Sequence, residues 1–194
     1  MSYPSAFESA VLHCMLYEVG SFFKLTPDVR AGLIDTKAQR TAVGYVDDPL
    51  DRGGETKFGV AKNANPDLDI TNLTWAQAEA VYYDRYWVAG LCDSLDPRVA
   101  VLHFDGCVNH GVVKSKKFLQ RAVNVTEDGI IGKVTLAALS AMDPIDLCNK
   151  ICDIRTQYYQ DIVTNNPSQS RFLSGWLRRV NEMRAYSTDP SATF

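Results

Sequence analysis

Glu18, Asp51 and Thr56 are the side chains whose types and spacing point to shared chemistry. Cleaving a glycosidic bond needs an acid that protonates the leaving oxygen, and usually a second carboxylate that activates water or steadies the cationic sugar. The acid must stay protonated near neutral pH, which apolar walls achieve. Phe7, Ala10, Val11, Cys14 and Met15 recur at helical spacing, and Glu18 continues that stripe one turn on. A carboxylate on an apolar stripe is costly without a partner or a task, so Glu18 is expected on the buried side, as the acid. Asp51 precedes Gly53-Gly54, and Thr56 follows five residues after the aspartate. A glycine turn lets backbone approach a ligand. Thr56 would then hold a water by its hydroxyl while Asp51 accepts its proton. Each residue also has a plain reading: Glu18 as a solvated helix-end charge, Asp51 as a turn residue bonding its own backbone, Thr56 as an ordinary strand residue. Glu55 reads as an exposed strand residue and is the reserve acid.

Tyr45, Phe58, Tyr82, Tyr83, Tyr86 and Trp87 offer flat faces on which a sugar could stack. Aromatics at helical spacing more often fill a core; Tyr45 and Tyr86 are retained as substrate contacts. Asn109 and His110 precede Gly111 and read as a turn with a polar anchor, or as contacts to substrate. His13, His103 and His110 are scattered without ligand spacing, so neither a metal nor an organic cofactor is expected. Cys14, Cys92, Cys107, Cys148 and Cys152 read first as core thiols. Cys148 and Cys152 share a helix face, which is poor disulfide geometry.

These groups need elements to carry them. Residues 5–19 read as a helix ended by Gly20, residues 21–43 as an excursion with room for one short helix, and residues 44–60 as a small β-hairpin around Gly53-Gly54. Beyond Thr74 the chain reads as helix almost throughout. Thr74 and Gln77 form a capping box, and Asp96-Pro97, Asp143-Pro144 and Asn166-Pro167 open later helices. The fold class is therefore α+β, predominantly helical, with the hairpin packed beside a bundle of helices. The expected organisation is a catalytic part over 1–98 with an insertion at 21–43, a helical part over 99–186, and a loose tail over 187–194.

The 194 residues are 46% hydrophobic and carry a net charge of −3. That balance argues against a general nucleic-acid grip, and no apolar run is long enough to insert in a membrane. The N-terminus has no basic-then-apolar pattern, so the protein is expected to be made in a cytoplasm without a signal peptide. A monomer is expected.

Phe7-Glu-Ser-Ala-Val through Glu18, then Gly44-Tyr-Val-Asp-Asp-Pro-Leu-Asp-Arg-Gly-Gly-Glu-Thr-Lys-Phe-Gly-Val60, resembles the opening of glycosyl hydrolase family 108. The second half resembles the peptidoglycan-binding domain that follows it, through Phe104-Asp-Gly-Cys-Val-Asn-His-Gly111, Leu119-Gln-Arg-Ala122, Asp128-Gly-Ile-Ile-Gly132, Thr135-Leu-Ala-Ala138 and Phe172-Leu-Ser-Gly-Trp-Leu-Arg-Arg-Val180. The resemblance implies a lysozyme-like fold and a phage endolysin or virion-borne N-acetylmuramidase. Such an enzyme would cut peptidoglycan glycan strands, reaching the wall through a holin or with the virion. One departure stands out. Where the family has its catalytic glutamate, just before Gly44-Tyr45, this chain has Ala42-Val43. Glu18-Val19-Gly20 is therefore set at that glutamate, with 21–43 read as inserted. Two other readings stay open: a peptidoglycan-binding protein that no longer cuts, and a lytic transglycosylase or chitinase-like enzyme on the same fold.

Overall fold

A computed structural model describes residues 3–21, 23–48 and 54–194. The chain divides into two compact units, Val11–Asp84 and the remainder, which joins Met1–Ala10 to Arg85–Phe194. Helix α1 (Ser5–Glu18) begins in one unit and ends in the other.

In the Val11–Asp84 unit the local signals are caps and turns. Thr26 accepts from the amide of Val29 and Pro27 opens α2 (Pro27–Ala31). Thr36 and Gln39 form a capping box on α3 (Lys37–Ala42), as Thr74 and Gln77 do on α4 (Trp75–Tyr82). The segment 21–43, expected as an excursion, thus contains two short helices. It also buries Phe23, Val29 and Val43. Phe23, Phe58 and Trp75 pack as an aromatic trio, with centroids 5.4 to 6.5 Å apart.

Strands β1 (Thr56–Lys57) and β2 (Val60–Ala61) pair antiparallel, with Thr56 opposite Ala61 and Lys57 opposite Val60. Their turn is Phe58-Gly59, both at positive φ (52° and 74°), which is the backbone a two-residue hairpin demands. The expectation set the turn at Gly53-Gly54. The turn that joins β1 to β2 lies further on, at Phe58-Gly59. Val46 bridges Thr56 on the outer side, and Gly53 lies outside the described residues.

The larger unit is built on α5 (Pro97–His110), which is buried without interruption from Val99 to Cys107. A helix buried on every side belongs at a centre, and α5 takes His103 and Asp105 inside with its apolar residues. Around it lie α6 (Val112–Ala122), α7 (Lys133–Ser140), α8 (Pro144–Asn165) and α9 (Ser170–Thr188). Asp96 and Asp143 cap α5 and α8 ahead of their prolines. Phe7, Trp87 and Phe104 meet edge-on or tilted at 5.5 to 5.8 Å. Residues Tyr83–Val88 continue α4 as a π-helix, a conformation that proteins use sparingly.

The last residues are not the loose tail expected. Helix α9 runs to Thr188. Arg98 donates to the carbonyls of Ser187 and Asp189, at 3.2 and 2.5 Å, and its guanidinium lies 5.4 Å from the Phe194 ring. A charged, aromatic anchor holds what composition alone reads as free.

Candidate active site

Glu18 is the last residue of α1, and it is exposed. The expectation of a buried acid fails for a simple reason. The stripe that buries Phe7, Ala10, Val11, Cys14 and Met15 ends with Met15, and the helix runs one residue row past the core. The Met15 carbonyl accepts from Val19 and Gly20, closing the helix.

Where that helix end lies is more informative. A β-carbon built on Gly59 would stand 3.2 Å from Glu18 Cβ and 2.5 Å from the Tyr82 hydroxyl oxygen. Only glycine fits there, and Glu18 therefore leans directly on the hairpin turn. The Tyr82 hydroxyl donates to the Phe58 carbonyl at 2.9 Å, and the Phe58 amide donates to the Val43 carbonyl at 2.7 Å. On the neighbouring side, Val19 lies against Gly44, 3.4 Å from where its β-carbon would stand. The end of α1 is thus wedged between Val43-Gly44 and the hairpin.

Thr56 sits on the same hairpin, half-buried, and its hydroxyl donates to the Gly54 carbonyl at 3.1 Å. That leaves the oxygen's lone pairs for an incoming donor. Asp51 lies outside the described residues. Glu55 accepts from the Thr71 hydroxyl at 2.6 Å. Tyr45 is half-buried with the Arg40 guanidinium over its ring. Burial, then hydrogen bonding to Glu55, pushes the Tyr45 hydroxyl above its ordinary range.

One residue of this unit has no sequence signal. Lys57 reads as an ordinary strand lysine, yet it is 0% exposed, and its ammonium donates to the Thr71 carbonyl at 2.7 Å. Burial lowers its pKa, opposed by Glu55 and Asp69.

Tyr86, Asn109 and His110 belong to the larger unit. Tyr86 is half-buried within the π-helix. Asn109 is exposed, and its side-chain oxygen accepts from the Tyr159 hydroxyl at 2.5 Å. His110 packs against Phe118, Tyr158 and Tyr159 at 5.3 to 5.5 Å. Burial, reinforced by Arg155, lowers its pKa to about 3, so its ring is neutral. Tyr159 in turn stacks on Trp176 at 5.0 Å. Sequence reading also missed the ion cluster behind them. Asp105, 2% exposed, binds Arg155 at 2.6 Å and Arg179 at 2.8 Å. Burial raises the carboxyl of Asp105, but the two guanidiniums outweigh it and hold it below the usual range. Among the described residues no three His, Cys, Asp or Glu side chains cluster as metal ligands would. None of their helices is long and apolar enough to cross a membrane.

The family model of Glycosyl hydrolase 108 matches residues 40–111, and that of the Predicted Peptidoglycan domain matches residues 114–181. Residues 40–111 are thus similar to the glycosyl hydrolase 108 family. The order of the two domains is the one the sequence resemblance implies. No curated protein matches the chain. Among solved structures, that of SagA from Brucella abortus is similar: 26% identity, TM-score 0.70, covering 96% of this chain and 98% of that one. The fold is lysozyme-like α+β, and the match to the Glycosyl hydrolase 108 model supports a glycoside hydrolase. The glycosyl hydrolase 108 match begins at residue 40. Tyr45, Asp51, Thr56, Tyr86, Asn109 and His110 fall inside it, and Glu18 falls before it.

Proposed function

We propose that this protein is a muramidase that hydrolyses the β-1,4 bond between N-acetylmuramic acid and N-acetylglucosamine in peptidoglycan. Glu18 protonates the leaving oxygen. Asp51 activates the attacking water and Thr56 holds it. One observation carries this reading: the end of α1 packs against Val43-Gly44 and the hairpin turn. The chain has lost the family's glutamate beside Gly44, and Glu18 comes from another element to that same neighbourhood. Its exposure leaves the carboxyl open to a substrate oxygen, and on this reading the bound glycan supplies the water-excluding wall that keeps it protonated. A phage lysozyme acting in host lysis is the biological setting that fits this reading.

A second reading is favoured by Ala42-Val43 at the family's glutamate: a protein that grips peptidoglycan without cutting it. Release of reducing ends from purified peptidoglycan separates the two. The muramidase reading expects turnover by the natural chain and a loss on the order of 10²-fold or more in Glu18→Gln, the usual contribution of a general acid. Equal turnover by both would remove Glu18 from the mechanism and turn attention to Glu55. No turnover by the natural chain supports the gripping protein. Anhydro-muramic ends in the products would identify a transglycosylase.

A further inference from the structure

The larger unit contains a cleft that none of the site residues above touches. It has a volume of about 590 Å³ and lies between the end of α6, the loop Val125–Gly132 and the start of α7. Asn124, Thr126, Asp128, Ile130, Lys133 and Val134 are among its walls. The volume is that of an ordinary small-ligand site.

The frame is rigid. Gln120 is 1% exposed and spends its whole amide on the loop. Its nitrogen donates to Asp128 Oδ1 at 2.6 Å and to the Ile130 carbonyl at 3.1 Å, and its oxygen accepts from the Gly129 amide at 2.7 Å. Asp128 Oδ1 also accepts from the Ile130 amide at 2.8 Å. A loop fixed this way does not have to be ordered when a ligand arrives. Against that frame, Ile130 and Val134 are 71% and 75% exposed. Aliphatic side chains flanking a cleft, rather than scattered singly, mark a contact surface.

The chemistry of the walls selects among ligands. None of the described residues lining the cleft is aromatic, so a sugar ring finds no face to stack on. What the walls offer are aliphatic contacts, amide and hydroxyl groups, one carboxylate and one ammonium. Asp128 is held ionised by the Gln120 amide and the Ile130 N–H. A short zwitterionic peptide with small side chains, free carboxylates and an amine matches that set. Peptidoglycan carries such a peptide on each muramic acid, and the cleft lies within the match to the Predicted Peptidoglycan domain. We infer that this cleft binds the stem peptide of peptidoglycan, not its glycan strand. The inference rests on reading the protein as peptidoglycan-acting, and does not require that it cut.

The test titrates the full chain with two probes: a synthetic L-Ala-γ-D-Glu-diaminopimelate-D-Ala tetrapeptide and an N-acetylglucosamine oligomer. Amide NMR shifts are read at Gly129, Gly132 and Lys133. The tetrapeptide should move these signals saturably and the oligomer should not. Gly132→Phe supplies the blocking variant. A β-carbon there meets nothing within 4 Å, and φ is an ordinary −100°, so a ring can be placed at this wall of the cleft without backbone strain. It should weaken tetrapeptide binding at least tenfold with the melting temperature unchanged. Signals moved by the oligomer alone, by neither probe, or by the tetrapeptide as strongly in Gly132→Phe would overturn the inference. Turnover of peptide-free glycan is scored separately. Its absence would sink the muramidase reading while leaving the cleft intact.

Discussion

At the scale of single residues, the buried polar groups of α5 set how the fold responds to acid. His103 is 1% exposed, with its ring nitrogens 3.1 Å from the Gly90 carbonyl and 2.9 Å from the Ser115 hydroxyl. Burial lowers its pKa from 6.5 to about 4. The folded state therefore prefers the neutral ring, while the unfolded chain binds a proton from about pH 6.5 downward. Stability from this group is complete above pH 6.5 and is lost as pH falls toward 4, a change of about 3 kcal/mol for one such histidine. His110 adds a loss of the same sign. Urea midpoints at pH 7.0 and 4.5 should show this drop, and His103→Gln should flatten it. A profile that is level over this range would contradict neutral buried imidazoles. Residue chemistry was only partly legible in the sequence. The stripe through Met15 was read correctly, but periodicity carries no information about where a core ends, and so Glu18 was expected inside. Asp105, Arg155 and Arg179 lie 50 and 74 positions apart along the chain, a separation no local pattern reports.

At the scale of elements, closeness along the chain decides what can be read. The Thr74–Gln77 box and the Asp-Pro starts of α5 and α8 are written in four residues or fewer, and the structure has them. Helices α2 and α3 have caps as good, but at five and six residues they are too short to show a period, and burial of Val29 and Val43 holds them. The hairpin turn went unread because Phe58 at φ 52° is an uncommon turn residue. Glycine also decides the junction after α2. Gly32 ends α2 at φ 70°, and a β-carbon there would stand 2.2 Å from the Leu73 carbonyl oxygen, which is backbone and cannot swing aside. Gly32→Ala should cost about 2 kcal/mol or more, the left-handed penalty plus the clash. A melting temperature within a degree of the natural chain would refute the contact.

At the scale of the whole molecule, the sequence conveys the helical majority and the order of the two domains, but not how α1 is shared. Phe7 belongs to the unit that also holds Arg85–Phe194, and it precedes Arg85 by 78 positions. It covers Trp87 and Phe104, which are 1% and 0% exposed. A fragment of residues 85–194 lacks that ring, and losing a buried phenylalanine costs about 3–5 kcal/mol. The fragment should unfold at lower urea than the same fragment given residues 3–10 as a separate peptide. Equal midpoints would show that the first turns of α1 add nothing.

The five cysteines have a consequence beyond packing. All are free and at most 1% exposed, and burial pushes Cys107 and Cys148 up to about 12 and Cys152 to about 11. Thiolate, the form that attacks oxidants and disulfides, is thus scarce and screened from both. In an oxidising compartment as in a reducing one, the folded chain keeps one covalent form, and no reductase or isomerase has to accompany it.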